Sequence, residues 1–318
     1  MKILLFTHKN DIDGMGNAVL SKLAFNNVDY ILCETFDLHE KVSEFIITGK
    51  IYEYDKIFIT DLCLEEKLLS LVNKDEKIKN KMKIIDHHKT YDNEKYTKYP
   101  FVKVKIKNDK GLCCGTSLFY EYLIDNNYLT KNDIMNEFVE LTRQHDTWEW
   151  KNIYNNEKAR ELAILFDSLG TEGYINFMYE KLSNEKEFSF NDIETMLINN
   201  KKIVINDAIE GYLKNIYYRE ILGMKAAIIF INYEFRNEIA EYLRENKYDI
   251  DFVMMISLDR GVISYRSVKD DVSVRKVAEF YNGKGHDAAA TNPITSEHKE
   301  MMIKILTRKI NKWSDKKE

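Results

Sequence analysis

Residues 82–85 form a short apolar run that ends abruptly at the tripeptide Asp86-His87-His88. Such a run is typical of a buried strand, and in an open parallel α/β sheet the carboxyl ends of the strands face the ligand crevice. Side chains alternate along a strand, so we expect the two imidazoles to point in different directions. One can then bind a metal, while the other contacts a substrate or supports the metal ligands from behind. Taken alone, the tripeptide is better explained as polar loop residues, but three further clusters change that.

Strand and helix patterns alternate along the first part of the chain. Apolar runs predict strands at residues 2–7, 28–33, 56–60 and 82–85. Amphipathic segments between them predict helices at residues 16–26, 38–47 and 65–72. This alternation implies right-handed crossovers and a parallel sheet. The acids and histidines fall at the carboxyl ends of the predicted strands, beginning with the polar turn at residues 8–14.

The length of 318 residues, with 44% hydrophobic and 31% charged, is typical of about two domains. Residues 150–215 show only helical patterns. Beyond them, apolar runs predict strands at residues 225–231, 252–258 and 261–267. We therefore predict an α/β protein with a parallel-sheet N-terminal domain, a helical connector and a smaller C-terminal α/β domain with a mixed sheet. The predicted boundaries are 1–150, 151–218 and 219–318.

The charge and the cysteines restrict the class of protein. A net charge of -5 argues against a broad surface that coats long nucleic acid, so any phosphate site must be local, with metal ions as a source of positive charge. Four cysteines, with one adjacent pair and no zinc spacing, indicate reduced thiols in a cytoplasmic protein. No apolar run approaches the roughly 18 residues of a membrane span.

Six side chains of the first domain are candidate metal ligands. They are His8, Asp11, Asp13, Asp61, His87 and Asp146. These imidazole and carboxylate ligands are typical of a site for a divalent ion such as Mn²⁺. They are not the ligands of a zinc site built from thiolates. Six ligands, one of them bridging, would hold two ions that acidify water and clamp a phosphoryl group for in-line attack. Each cluster alone also fits a solvated turn or a helix cap, but their joint occurrence favours the metal site.

The order of the motifs adds a family resemblance. The chain carries His8-x-x-Asp11-x-Asp13-Gly14, then Ile-Thr-Asp61, then Asp86-His87-His88, then His145-Asp146, and later Ser264-Tyr-Arg266-Ser267 and Gly283-Lys-Gly285-His286. This order resembles the DHH phosphoesterase superfamily and its associated C-terminal substrate domain. The resemblance extends from residue 8 to about residue 290 and leaves the connector unmatched.

The resemblance implies a catalytic DHH domain over residues 1–150 that uses two Mn²⁺ ions to hydrolyse phosphate esters or anhydrides. Asp61 would bridge the ions. The other ligands would divide into His8 and Asp11 for one ion and Asp13, His87 and Asp146 for the second. His88 would contact the scissile phosphate and help the leaving oxygen accept a proton. Asp86 would orient an imidazole.

The resemblance also implies a substrate site in the C-terminal domain. Arg266 and His286 would grip a terminal nucleotide or phosphate, and Ser264 joins them as a substrate-binding residue. Gly283 and Gly285 would let backbone N–H groups approach the substrate. The family's run of glycines is interrupted here by Lys284, which removes backbone freedom and adds a cation.

The most similar branch of the superfamily is oligoribonuclease B, through Asp11-x-Asp13-Gly14-x-Gly16 and the compact two-domain length. It implies hydrolysis of short oligoribonucleotides to mononucleotides, with 3′-phosphoadenosine 5′-phosphate as a second substrate. The partners are then short oligoribonucleotides or small nucleotides, without a membrane, and a homodimer is one option for the assembly.

Three alternatives stay open at this point. Two are enzymes of the same superfamily: an inorganic pyrophosphatase, and a phosphodiesterase for cyclic or linear dinucleotides. The third is a nucleotide-sensing binding module without activity. The loop that ends at His286 suits a nucleotide end better than pyrophosphate, and the full set of metal ligands favours an enzyme over a binding module.

Overall fold

The structure is a computed structural model and describes residues 1–281, 283–285 and 287–307. It separates into two compact units, Met1–Lys201 and Lys202–Glu318. The boundary falls within a long helix, Asp192–Leu213, inside the segment that the sequence assigns to a helical connector. The division into three parts with boundaries at 150 and 218 stays a prediction.

Five parallel strands form the main sheet of the first unit. They are β1 (Ile3–His8), β2 (Val28–Cys33), β3 (Lys56–Thr60), β4 (Met82–Asp86) and β5 (Val102–Val104). Their order is β2-β1-β3-β4-β5, and every neighbouring pair is parallel. From β1 the chain adds β2 on one side and β3, β4 and β5 on the other, so the strand order changes direction between β1 and β3. Open α/β sheets bind ligands at the carboxyl edge next to such a point. The predicted parallel α/β fold is confirmed.

Ten helices and a small ribbon complete the first unit, the last helix extending past its boundary. The ribbon strands are β6 (Lys107–Asn108) and β7 (Gly111–Leu112). The helices are α1 (Ile12–Ala24), α2 (Leu38–Ile47), α3 (Glu66–Lys74), α4 (Glu76–Lys79), α5 (Glu94–Thr97), α6 (Gly115–Asp125), α7 (Asp133–Asp146), α8 (Glu149–Asn152), α9 (Glu157–Asn184) and α10 (Asp192–Leu213).

The sheet has a hydrophobic core on each face because side chains alternate along its strands. In β1, Ile3 and Leu5 join a core with α1, α6, α7 and α9. Leu4 and Phe6 join a second core that includes residues of α2 and α3. All four side chains are fully buried. Both faces are covered, as an all-parallel sheet requires, and the carboxyl edge is left for the functional residues.

Helix α1 begins at Ile12, four residues before the predicted start. Asp11 is its N-cap, and its Oδ1 atom accepts from the N–H of Gly14 at 2.9 Å. The predicted polar turn at residues 8–14 is therefore wrong in its second half, where Asp13 lies in the first helical turn. A Cβ atom at Gly14 would overlap the carbonyl oxygen of His8, so only glycine allows this close turn.

The second unit is built on a six-stranded mixed sheet. Its strands are β8 (Tyr217–Ile221), β9 (Met224–Phe230), β10 (Phe252–Ser257), β11 (Val262–Ser267), β12 (Lys284–Gly285) and β13 (Ala289–Pro293). Their order is β12-β13-β11-β10-β9-β8, with only β9 and β10 parallel. The predicted mixed C-terminal sheet is confirmed, although β8, β12 and β13 were not predicted.

Three further helices in the described part of the second unit lie between these strands or after them. They are α11 (Arg236–Glu245), α12 (Val274–Phe280) and α13 (Ser296–Thr307). Tyr265 of β11 and Phe252 of β10 pack with Val274 and Val277 of α12 in a buried core. Across the described parts of both units, no helix has the length and apolar character needed to cross a bilayer.

Candidate metal centre

The carboxyl edge of the first sheet collects the predicted ligands from three neighbouring strands. His8 is the last residue of β1, Asp61 directly follows β3, and His87 directly follows β4. The first turn of α1 adds Asp13, and the end of α7 adds Asp146. Because carboxyl ends of adjacent parallel strands lie side by side, residues far apart in the sequence meet here.

His8, Asp11 and Asp61 form the first group able to hold an ion. Each offers one ligand atom, and these atoms lie within 4.8 Å of one another. His8 Nδ1 lies 2.6 Å from Asp11 Oδ2 and 3.7 Å from Asp61 Oδ2. An imidazole nitrogen and two carboxylates therefore converge on one position.

Asp13, His87 and Asp146 form a second group with the same spacing limit. His87 Nε2 lies 3.7 Å from an oxygen of each of the two acids, and 3.1 Å from Asp61 Oδ1. Asp61 thus directs one carboxylate oxygen to each group, which is the position of a bridging ligand. The geometry brings together all six side chains that the sequence proposes, in the same two sets.

Asp61 adopts an unusual backbone conformation that aims its side chain. Its φ of 57° lies in the left-handed region, which non-glycine residues rarely enter and Asp tolerates better than most. The N–H of Asp61 donates to the carbonyl of Ile85 at 3.0 Å, which fixes the residue against β4. A strained backbone of this kind is common where the surrounding structure positions a functional side chain.

Asp86 organises the two histidines that follow it. Its Oδ1 atom accepts from the backbone N–H of His87 at 2.8 Å and of His88 at 3.3 Å, and it lies 2.7 Å from His88 Nδ1. The centroids of the two imidazole rings are 4.3 Å apart, and His87 Nε2 and His88 Nδ1 lie 3.1 Å and 3.9 Å from the same atom, Asp61 Oδ1. The expectation that they point apart is wrong, because β4 ends at Asp86 and the alternation of a strand stops there.

The cluster holds an excess of acidic side chains whose charge a bound cation would compensate. In the described part of the chain, no lysine or arginine forms an ion pair with Asp11, Asp13, Asp61, Asp86 or Asp146. Burial and the neighbouring Asp13 raise the pKa of Asp146 to about 7 and that of Asp61 well above its usual value. Two imidazoles and four carboxylates without a thiolate fit hard or borderline divalent ions.

The imidazoles respond to the same excess of negative charge. Burial favours the neutral ring of His8, but the adjacent Asp11 outweighs it and raises the pKa to about 9. Burial also favours the neutral ring of His88, but the adjacent Asp86 outweighs it and raises the pKa of His88 to about 9. Burial lowers the pKa of His145 to about 4, although the charge of Asp11 acts in the opposite direction. His145 belongs to neither ligand group, so the His145-Asp146 motif contributes only its acid.

Helix α6 holds Asp13 from behind, a feature that the sequence analysis missed. The N–H groups of Gly115 and Thr116 donate to the two carboxylate oxygens of Asp13, each at 2.6 Å, and the Thr116 hydroxyl donates to its carbonyl at 2.5 Å. The positive end of the helix faces the carboxylate. In the sequence, this contact could have been inferred only from a glycine and a threonine, Gly115 and Thr116, at the start of a predicted helix.

A buried ion pair supports the segment that leads to α6. Arg143, one turn before Asp146, pairs with Glu149 and donates to the carbonyl of Leu112 at 2.9 Å. Glu149 Oε1 accepts from the N–H of Leu112 at 3.1 Å. The end of α7 and the ribbon before α6 are thereby locked together, although neither Arg143 nor Glu149 was proposed from the sequence.

Ser264 and Arg266, two of the predicted substrate residues, lie on β11, whereas Gly285 lies on β12 and Gly283 directly precedes that strand. Arg266 Nη2 donates to Asn237 Oδ1 at 3.1 Å, and the fully buried Ser264 hydroxyl has no partner in the described chain. Gly283 and Gly285 allow close packing, because a Cβ atom on either would collide with β13. The N–H of Gly283 donates to Ala278 at 2.7 Å, within the unit. The predicted His286 lies outside the described residues.

Comparison with known proteins gives one clear relative and several similar folds. No family model matches the chain. It is 31% identical over 305 residues to oligoribonuclease NrnB of Bacillus subtilis (strain 168), covering 94% of this chain and 74% of the relative. A pGpG-specific phosphodiesterase, PggH of Vibrio cholerae, has a similar fold, with a TM-score of 0.55, 15% identity, and coverage of 98% of this chain and 99% of that one. Exonuclease RecJ bound to manganese gives a TM-score of 0.53 and 14% identity, over 93% of this chain and 86% of that one.

Proposed function

The chain belongs to the DHH phosphoesterase family, in its oligoribonuclease B branch, and from this membership we propose that it hydrolyses short oligoribonucleotides to mononucleotides. The observation that supports the chemistry best is the position of Asp61, which directs one oxygen to each of two ligand groups. Two adjacent ions sharing a carboxylate are the usual arrangement for in-line displacement at phosphorus. The family membership supports a nuclease over a pyrophosphatase or a binding module.

The metal sites follow from the two groups. His8, Asp11 and Asp61 would hold one ion. Asp13, His87 and Asp146, together with Asp61, would hold the other. We propose Mn²⁺ for both positions, because imidazole and carboxylate ligands without thiolate suit this ion. When bound, two such ions lower the pKa of the attacking water and neutralise charge on the phosphoryl group.

His88 is the candidate for direct contact with the scissile phosphate. Its Nδ1 atom is engaged by Asp86 at 2.7 Å, which directs the other ring nitrogen away from that acid. About half of the His88 side chain is exposed, in contrast to 14% for His87. An accessible, oriented imidazole can donate a hydrogen bond to a phosphoryl oxygen and a proton to the leaving oxygen. Asp86 acts through this imidazole as a positioning residue.

The C-terminal unit supplies the contacts to the end of the substrate in this proposal. Arg266 is the charged group among its predicted substrate residues, and Ser264 and His286 are polar partners. The four cysteines are buried and unpaired, which agrees with a reducing compartment such as the cytoplasm.

A side-by-side assay tests the function. The full chain, stripped with EDTA and repleted with Mn²⁺, is incubated with linear ribonucleotides of two to five residues, 3′-phosphoadenosine 5′-phosphate, a cyclic dinucleotide and pyrophosphate. We expect mononucleotides from the linear substrates at the highest kcat/KM. Asp61→Asn should abolish activity, whereas Asp109→Asn, at an exposed acid outside both ligand groups, should not. Faster cleavage of pyrophosphate than of any dinucleotide would overturn the proposal.

A further inference from the structure

Trp148 is an exposed aromatic residue beside the candidate metal centre. It follows the candidate ligand Asp146 by two positions, in the turn between α7 and α8. Consecutive Cα atoms are 3.8 Å apart, so the Cα atoms of these two residues lie at most about 7.6 Å from each other. Trp148 is 43% exposed. A large aromatic side chain is therefore accessible to solvent close to an acid of the metal centre.

The backbone of Trp148 has a conformation that bulky residues rarely adopt. Its φ of 60° lies in the left-handed region, where the Cβ atom of an L-residue approaches the following carbonyl oxygen. Glycine would fit this turn with less strain. Strained positions of this kind cluster at active sites and ligand-binding sites, where the surrounding structure holds them. A tryptophan at such a position indicates that its side chain has a function beyond closing the turn.

The turn that carries Trp148 is fixed on both sides. The N–H of Trp148 donates to the carbonyl of His145 at 3.1 Å, and the N–H of Asn152 donates to the carbonyl of Trp148 at 3.2 Å. The next residue, Glu149, is buried and forms its ion pair with Arg143 of α7. The backbone of Trp148 is therefore held in place before a ligand binds.

A second indole restricts the ring of Trp148. The ring centroids of Trp148 and Trp150 are 6.4 Å apart, and the ring planes are inclined by 33°. This distance is within the usual range of aromatic pairs. Trp150 is buried and belongs to a hydrophobic core of the first unit. Because the exposed ring packs against a fixed one, little side-chain entropy remains to be lost when a ligand covers it.

A nucleobase is the ligand that matches an exposed indole at this position. Bases stack on aromatic side chains, and every base has a flat face that can do so. Stacking also provides binding energy without charge, which suits an anionic substrate beside a cluster of carboxylates. In the proposed function the metal centre acts on a phosphate, and each neighbouring nucleotide of the substrate carries a base.

We propose that Trp148 is a stacking platform for one nucleobase of the substrate, next to the phosphodiester that is cleaved. This inference rests on the proposed function, because it names a part of the oligoribonucleotide, besides the phosphate, that the first unit binds. It implies little discrimination among the four bases and a clear preference for nucleotides over phosphate esters that lack a base.

Direct binding tests the platform without catalysis. The full chain, loaded with Mn²⁺, is titrated calorimetrically with adenosine 5′-monophosphate and with ribose 5-phosphate, which lacks the base. The nucleotide should bind more tightly by about 5- to 150-fold, the value of one stacked base. Trp148→Leu, which keeps an apolar side chain but cannot stack, should bind the two ligands alike, and Trp148→Phe should retain part of the preference.

Kinetics distinguish the platform from a merely structural role. With diadenylate as substrate, Trp148→Leu should raise KM by about 5- to 150-fold with kcat nearly unchanged, because the ring contacts the base equally in the ground state and the transition state. Tyr52→Leu is the control, because Tyr52 is 41% exposed but precedes β3 and so lies towards the amino edge of the sheet. Melting temperatures establish that the variants fold. Trp148→Asn, which tolerates the left-handed backbone, tests the platform if Trp148→Leu does not fold.

The outcomes separate this inference from the proposed function. Equal binding of both ligands by wild type, or an unchanged preference in Trp148→Leu, would overturn the platform. A changed oligomeric state in Trp148→Leu with unchanged nucleotide binding would assign the ring to a contact between copies of the chain, and would overturn it as well. If wild type prefers the nucleotide through Trp148 but does not cleave diadenylate, the platform stands and the proposed function fails.

Discussion

A single methyl group at Gly115 should disrupt the metal centre while leaving the fold in place. Gly115 is the first residue of α6, and its N–H donates to Asp13 Oδ2 at 2.6 Å. In Gly115→Ala the new Cβ would lie 2.7 Å from the Asp61 Cβ and 2.9 Å from Asp13 Oδ2. Both distances are too short for an ordinary contact, so one of the two candidate ligands must move.

The size of the effect follows from the bond that is disturbed. A hydrogen bond to a charged group contributes about 1.5–3 kcal/mol, and a loss of this size in the metal complex lowers Mn²⁺ affinity by about 10- to 150-fold. Overpacking of a buried position adds a cost of roughly 1–3 kcal/mol to folding. We therefore expect a weakened metal site in a protein that is still folded.

Calorimetric titration of the EDTA-treated protein with Mn²⁺ measures the first effect, and thermal melting without metal measures the second. Gly173→Ala in α9 is the matched control, because its Cβ would meet only the Leu169 Cβ, at an ordinary 3.5 Å. If the Gly115→Ala variant bound Mn²⁺ with the same affinity and stoichiometry as wild type, the assignment of Asp13 and Asp61 as metal ligands in contact with α6 would be refuted.

Three further predictions concern the two histidines, the buried ion pair of Arg143 and the effect of pH on metal binding. In calorimetric titrations, the His88→Ala variant should still bind two equivalents of Mn²⁺ but have a lower kcat, whereas the His87→Ala variant should bind one equivalent fewer. The reverse pattern would exchange the roles of the two histidines. Arg143→Met should leave the buried Glu149 unpaired and reduce the free energy of unfolding by about 3–5 kcal/mol in urea, and an unchanged midpoint would contradict this. His8 has a pKa of about 9 in the metal-free protein, and it must lose its proton to bind an ion. The affinity for Mn²⁺ should therefore rise with pH up to about 9. A dissociation constant for Mn²⁺ that does not change between pH 6.5 and 8.5 would exclude His8 as a ligand.

Local sequence patterns predict which side chains meet at the candidate metal centre, because they determine where these residues lie in the sheet. A buried parallel strand is a short apolar run, and the residue after it necessarily lies at the carboxyl edge of the sheet. Asp61 and His87 are of this kind, and both meet at the strand ends. Asp146 arrives on a helix instead, and only its family motif, not its spacing, indicates that it reaches the same edge.

Other features have no signature in the sequence. Thr116 and Gly115 act through backbone N–H groups, which every residue except proline possesses. Strand β8 is exposed along almost its whole length, so it lacks the apolar alternation by which strands are recognised.

The arrangement of hydrogen-bond donors divides the acids of the centre into two kinds. Asp11, Asp13 and Asp86 each accept from at least one backbone N–H, so their carboxylates are oriented by the chain itself. In the described residues no backbone N–H donates to the carboxylates of Asp61 or Asp146, and burial with the neighbouring Asp13 raises the pKa of both.

These two acids therefore gain the most from a cation, because ions replace the compensation that the backbone does not provide. Asp61 stands between the two ligand groups and Asp146 belongs to the second, so each candidate ion position combines an acid fixed by the chain with an acid that needs the metal. The fixed acids define where an ion binds in the folded, metal-free chain. The other two acids favour its binding, because burial raises their pKa in the metal-free chain and a nearby cation stabilises the ionised carboxylate.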